Sequence, residues 1–283
     1  MTKYGIPYQG SKSGIADSIM TVLPKGERFV DLFGGGFAMS ECAMRSGKYH
    51  GVLYNEINPL LPALIKKAVN GEYNYDRFKP PFVSREEFNR LKDRDGYVRY
   101  IWSFGNGGDT YLFSKDLEPL KRAFHNYVVF GEKDEMIKER FPDIDRYVRG
   151  DDIRVRRILW GRYMKMKHAR RPERELQQLE QLERLQQLQQ LEVSCGSYDD
   201  YEYRDGDVVY CDPPYEGTKG YGSAFDHRAF YDWVASRPYQ VWFSSYQISD
   251  KRFKMVWAKG KKNLAAGAAY QKSNYECLYT NRG

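Results

Sequence analysis

The chain has 283 residues, 41% hydrophobic and 29% charged, which is enough for one substantial core plus a smaller appended domain or a large insertion. Lys and Arg number 45 against 38 Asp and Glu, a formal charge of +7 that permits a polyanionic partner without requiring one. Lys3, Lys12 and Asp17 interrupt the first twenty residues, no later stretch approaches about 18 uninterrupted apolar residues, and Cys42, Cys195, Cys211 and Cys277 form no C-x-x-C pair. Export, a membrane span, a disulfide framework and a zinc knuckle are therefore unsupported, and a cytoplasmic globular protein with reduced thiols and no metal is expected.

In chain order, Arg28–Leu32 is short and apolar and predicts a strand. Phe33-Gly34-Gly35-Gly36 breaks the chain, and Phe37–Arg45 carries its apolar residues in helical register. Gly51–Asn55 predicts a second strand, ending at Glu56-Ile57-Asn58-Pro59, where Pro59 suits the first turn of a helix running to about Val69. The unit reads β-α-β-α. In doubly wound sheets a glycine turn after the first strand admits a ligand to the backbone, and an acidic residue about 20 positions later can hold ribose hydroxyls. Gly36 and Glu56 have that relation, although a triple-glycine turn alone is equally a loop that needs positive φ.

The middle of the chain is basic and aromatic. Tyr97–Gly108 contains Arg99 and Asn106, which could reach base edges, among aromatics that could support an unstacked base or equally form a small core. From Ile153 to Pro172 come Arg154, Arg156, Arg157, Arg162, Lys165, Lys167, Arg170 and Arg171 with no acidic residue; this composition suits phosphate, with a solvated helix face as the plainer reading. Leu176, Leu179, Leu182, Leu185, Leu188 and Leu191 then recur every third residue. On a straight helix each falls about 60° behind the last, so no single stripe forms, and the segment 173–192 reads as a low-complexity helix serving as an insertion or spacer. The chain is expected to be a monomer, with a dimer through 173–192 as the alternative.

Val208-Val-Tyr-Cys211 predicts a buried strand that stops at Asp212-Pro213-Pro214-Tyr215. The prolines carry no backbone donors, which leaves the Pro213 carbonyl as an acceptor beside the Asp212 carboxylate, with an aromatic ring next in line. These groups suit a planar ring bearing an NH2, though a strand ended by Pro-Pro with a packing tyrosine is an even alternative for the motif alone. Tyr239–Tyr246 and Asn274–Tyr279 predict further strands of the same sheet, and the basic stretch Lys251–Lys262 between them is a weaker phosphate-binding candidate that reads at least as well as a solvated loop. Glu216–Gly222, with Gly217, Gly220 and Gly222, reads as a flexible glycine-rich loop.

In this order the motifs resemble the DNA adenine methyltransferase (Dam) family, in the class that places target recognition between the glycine motif and the D-P-P-Y motif. Tyr8-Gln-Gly-Ser-Lys12, Phe29–Gly36, Glu56-Ile57-Asn58, Cys195–Asp200 and Asp212–Tyr221 carry the likeness, which covers nearly the whole chain. The resemblance implies an α/β fold: a Rossmann-like S-adenosylmethionine-dependent methyltransferase sheet with an inserted, mainly helical target-recognition domain. The catalytic domain would span 1–70 and 194–283, and the insertion 71–193. Tyr8, Lys12, Asp31, Phe33, Gly34, Gly36, Glu56, Asp200 and Asp212 would hold S-adenosylmethionine. Asp212, Pro213, Pro214 and Tyr215 would hold an adenine flipped from double-stranded DNA, with Asp212 and the Pro213 carbonyl on its amine and Tyr215 on its face. The loop Glu216–Gly222 would close over the flipped base. Arg99, Asn106, Arg154, Arg157, Arg162 and Lys165 would contact DNA. Glu56 stands where Asp is commoner in the family, and Tyr8 where Trp is commoner. No cysteine follows a proline, which disfavours attack at a cytosine ring carbon. Cytosine-N4 or RNA methylation, or an inactive DNA-binding protein on the same scaffold, are the alternatives.

Overall fold

A computed structural model describes residues 3–167, 174–216, 225–260 and 275–282. Its helices, in chain order, are α1 (Ala16–Val22), α2 (Ala38–Ser46), α3 (Leu60–Val69), α4 (Arg85–Leu91), α5 (Gly96–Ile101), α6 (Glu118–Phe130), α7 (Glu135–Arg140), α8 (Ile153–Met166), α9 (Arg174–Arg184) and α10 (His227–Ser236). The strands are β1 (Arg28–Asp31), β2 (Gly51–Asn55), β3 (Leu191–Ser194), β4 (Asp207–Cys211), β5 (Val241–Ser245), β6 (Lys254–Gly260) and β7 (Tyr275–Thr280). The chain divides into two compact units, one built from the N-terminal residues to Gly5, Gly10–Pro62 and Leu188 onward, the other from Ile6–Gln9 and Ala63–Gln187. Among the described residues no helix is long and apolar enough to cross a membrane, and no group of three or more His, Cys, Asp or Glu could hold a metal ion.

The first unit is a seven-stranded sheet in the order β3-β2-β1-β4-β5-β7-β6. The five strands from β3 to β5 are parallel, and β7 runs antiparallel to both β5 and β6. Strands β1, β4 and β5 are buried along their whole length because both faces are covered, which explains their unbroken apolar runs. Alternation divides the faces: Phe29, Val208 and Tyr210 pack with Ile19 of α1 and Met39 of α2, whereas Val30, Val209 and Cys211 pack with Phe230 and Val234 of α10. This is a Rossmann-like α/β fold. From β1 the chain passes through α2 to β2 on one side, while from β4 it passes through α10 to β5 on the other. The order reverses between β1 and β4, so a crevice is expected where their carboxyl ends, Asp31 and Cys211, lie side by side.

Two sequence expectations change here. The stretch Lys251–Lys262 is no loop over Lys254–Gly260, which pairs with β7 as strand β6; Lys261 and Lys262 lie outside the described residues. The Leu-rich helix does not extend over 173–192: it ends at Arg184, continues as a 3-10 turn at Leu185–Gln187, and Leu191 opens β3 against Val52. Gln190, with φ of 61°, takes the left-handed conformation that ends the helical path.

The second unit is helical around an aromatic core. Trp102 and Phe113 surround Phe82 and His125, and Phe124 and Phe141 pack on Trp160 of α8. Helix α9 lies inside this unit: Leu176, Leu179, Leu182 and Leu185 have no exposed surface, and Glu175, Gln178 and Gln181 are buried with them. The segment is therefore a core helix and not a spacer. Two of its buried polar side chains are held by one atom each, with Glu175 Oε1 3.1 Å from His125 Nδ1 and Gln178 Oε1 accepting from Asn106 Nδ2 at 2.8 Å, while Glu175 Oε2 and Gln178 Nε2 are buried with no hydrogen-bond partner among the described residues.

Candidate active site

Strand β4 delivers Asp212 to the carboxyl end of the sheet, and the sequence Pro213-Pro214 ends pairing there. Around Asp212 three polar side chains converge. Lys12 Nζ, from the 3-10 turn Lys12–Gly14, lies 2.7 Å from Asp212 Oδ2 and 3.3 Å from Glu276 Oε1 of β7. The Tyr215 hydroxyl donates to Asp212 Oδ1 at 3.1 Å and to Glu276 Oε1. Lys12 also stands over the Tyr215 ring, 4.8 Å from its centroid, and Tyr246 meets that ring nearly edge-on at 4.7 Å. His227 Nε2 donates to the Pro214 carbonyl at 2.7 Å, which fixes the proline corner to the start of α10.

Burial sets the electrostatics of this cluster. It lifts Asp212 above the ordinary carboxylate range despite the opposing pull of Lys12. Burial alone would lower Lys12, but Asp212 and Glu276 together hold it above the ordinary lysine value, so the ammonium stays charged. Tyr215 is pushed well up, first by burial and then by the two carboxylates, and remains a neutral donor.

Beside this cluster the turn after β1 forms a close-packed cradle. A Cβ at Gly34 would overlap the Tyr54 ring, and one at Gly5, with φ of 68°, would collide with the Gly36 carbonyl. Glu56, at the end of β2, accepts from Gly35 N at 2.9 Å and from Asn58 N at 3.0 Å, which locks its carboxylate at the turn. Asp31 Oδ2 accepts from Ser40 Oγ at 2.7 Å, while its Oδ1 is buried with no hydrogen-bond partner among the described residues. Phe33 stacks on Tyr198 at 5.3 Å. Asp200 accepts from Ser197 N at 3.1 Å, and with Leu32, Leu53, Asn55 and Gly196 it lines a cavity of about 500 Å³. A glycine turn with no room for a Cβ at Gly34, a fixed carboxylate at the next strand end and a cavity lined by Leu32, Asn55, Asp200 and Tyr201 together fit a nucleoside-bearing cofactor.

The residues expected at DNA lie in the other unit, together with Tyr8, whose ring packs 5.6 Å from Tyr100. Asn106 is turned inward: it is buried and donates to the Tyr100 carbonyl and to Gln178. Arg99 pairs with Asp93 and Asp109. Arg154 is engaged by Asp76, Asp152 and Glu183, and Arg157 by Glu180. Arg162 and Lys165 are exposed on α8. Arg170, Arg171 and the glycines 217, 220 and 222 lie outside the described residues. Sequence reasoning missed Glu276, Ser40, Tyr54 and His227. For Glu276 the signal was a carboxylate inside an otherwise apolar terminal strand.

A family model for D12 class N6 adenine-specific DNA methyltransferases matches residues 8–126 and 161–237. The Retron Ec67 DNA adenine methylase of Escherichia coli is 27% identical over 218 residues, which cover 75% of this chain and 64% of that protein. The chain thus spans less than two thirds of that relative's length.

Proposed function

Because the chain belongs to the D12 class N6 adenine-specific DNA methyltransferase family, we propose that it transfers a methyl group from S-adenosylmethionine to the exocyclic N6 amine of an adenine flipped from double-stranded DNA. The observation that carries this reading is the Asp212 carboxylate, held by Lys12 and Tyr215 at the carboxyl end of β4, where the strand order reverses beside the Gly34–Gly36 turn. When bound, S-adenosylmethionine supplies an electrophilic methyl group on a positively charged sulfur.

The chain's own residues supply the rest. An adenine amine is a poor nucleophile because its lone pair is drawn into the ring. Acceptors on its two hydrogens, the Asp212 carboxylate and the Pro213 carbonyl, return density to nitrogen and aim the lone pair out of the ring plane. The amine nitrogen would take the methyl group as the electron pair of the broken bond passes to the cofactor, and the proton the amine releases would leave through the Asp212 carboxylate that accepts from it. Tyr215 supplies an aromatic face to the base, and Lys12 anchors both Tyr215 and Asp212. Glu56 would receive ribose hydroxyls, and Gly34 and Gly36 leave the backbone open to the cofactor. Arg162 and Lys165 of α8 would contact DNA phosphates.

The test is to incubate wild type and Asp212→Ala with methyl-labelled cofactor and unmethylated duplex DNA, then digest to nucleosides. Label in N6-methyldeoxyadenosine from wild type alone is expected. Label confined to methylcytosine, RNA or protein overturns the reading.

A further inference from the structure

Glu276 belongs to neither the glycine turn nor the Asp212–Tyr215 corner, yet its side chain has no exposed surface and reaches both other members of the Asp212 cluster. It sits on β7, between β5 and β6. Its Oε1 is 3.3 Å from Lys12 Nζ and accepts from the Tyr215 hydroxyl, while the same two donors lie 2.7 Å and 3.1 Å from Asp212. One ammonium and one hydroxyl hydrogen therefore serve two carboxylates. Packing alone does not call for an ionisable group at a sheet position this deep, where a buried charge is retained only against close partners.

We infer that Glu276 is a positioning residue: by sharing Lys12 and the Tyr215 hydroxyl with Asp212, it keeps Asp212 available as an acceptor for the target amine and holds Tyr215 where it meets the base. Without it, both donors fall wholly to Asp212, and the carboxylate that must polarise the amine is already satisfied. The role rests on the adenine-methylation reading above.

Charge makes the role separable from packing. Asp212 faces Lys12, Glu276, Tyr215, Tyr210 and Asp31, and within that set Glu276 pushes its pKa up while Lys12 pulls it down. In Glu276→Gln, which keeps shape and loses charge, kcat on the alkaline plateau should fall about 10- to 100-fold. The acid limb of the kcat/KM profile should move to lower pH, and cofactor affinity by calorimetry should stay within about threefold, as expected for a lesion of orientation rather than of binding. Glu276→Asp keeps the charge but draws it back from Lys12 and Tyr215, so its kcat should fall with the acid limb in place. A Glu276→Gln variant with wild-type kcat overturns the inference, as does one whose kcat falls with an unmoved limb. Should Glu276→Gln fail to fold by thermal unfolding, wild-type kcat in Glu276→Asp overturns it. A wild type that leaves adenine unlabelled sinks the underlying reading, a result distinct from an active wild type with indifferent Glu276 variants.

Discussion

Asp31 shows what burial does to a single carboxyl group at this site. It is 1% exposed, Ser40 satisfies one oxygen, and burial pushes its pKa up to about 7 against the opposing Ser40 hydrogen bond. A folded pKa above the unfolded value of about 4 means that the native chain keeps a proton the unfolded chain releases. The contribution is complete below about pH 4 and is lost as pH rises through 7. Wild type should therefore lose about 3 kcal/mol more stability than Asp31→Asn between pH 5 and pH 8, measured by urea unfolding at both pH values. Parallel losses in the two proteins would show that Asp31 ionises normally in the fold. At this scale the motif residues were legible because they are contiguous: Asp212 and Tyr215 announce each other, and so do Gly34 and Gly36. Glu276 was not legible, since it meets Tyr215 across 61 residues and only β7's place in the sheet brings the two together.

Helix α9 shows how an element can be recognised while its environment is misjudged. Its Leu, Gln, Glu and Arg content foretold a helix, but a repeat of three seemed to leave no single face to bury. The fold surrounds the helix over more than half its circumference, so the drift of the leucines costs nothing, and the interleaved Glu175 and Gln178 find His125 and Asn106 as partners. Where the helix ends, the 3-10 turn at Leu185–Gln187 has a period of three of its own. Leu179→Ala should then cost about 2–5 kcal/mol in denaturant unfolding, as a buried large-to-small change does. Val155→Ala on the exposed side of α8 should cost within about 0.5 kcal/mol. Equal small effects would mean that α9 is peripheral in solution. The same neighbourhood explains the basic segment: Arg154 and Arg157 are paired with acidic residues, two of which, Glu180 and Glu183, belong to α9. A run without acidic residues in sequence is thus partly neutralised in space.

For the molecule as a whole, the charge of +7 matters less than which cations remain presented. Arg162 and Lys165 are exposed on α8, so Arg162→Ala and Lys165→Ala should each weaken binding to duplex DNA uniformly across sequences. Each should also reduce the slope of log affinity against log salt by about 1 in anisotropy titrations. An unchanged slope in both variants would remove α8 from the interface. The sequence by itself determined the strand-turn-helix order, the Asp212–Tyr215 corner, the glycine turn with Glu56, and through them the family, because each is a local pattern whose meaning lies in neighbouring residues. Tertiary structure alone decided that Lys12, Asp212, Tyr215 and Glu276 form one cluster, that Asn106 faces inward, that Leu176, Leu179, Leu182 and Leu185 of the leucine repeat are core, and that Lys254–Gly260 is a strand. Those outcomes depend on which distant segments share a sheet or a core, and burial and charge pairing are settled only when the chain has brought those segments into contact.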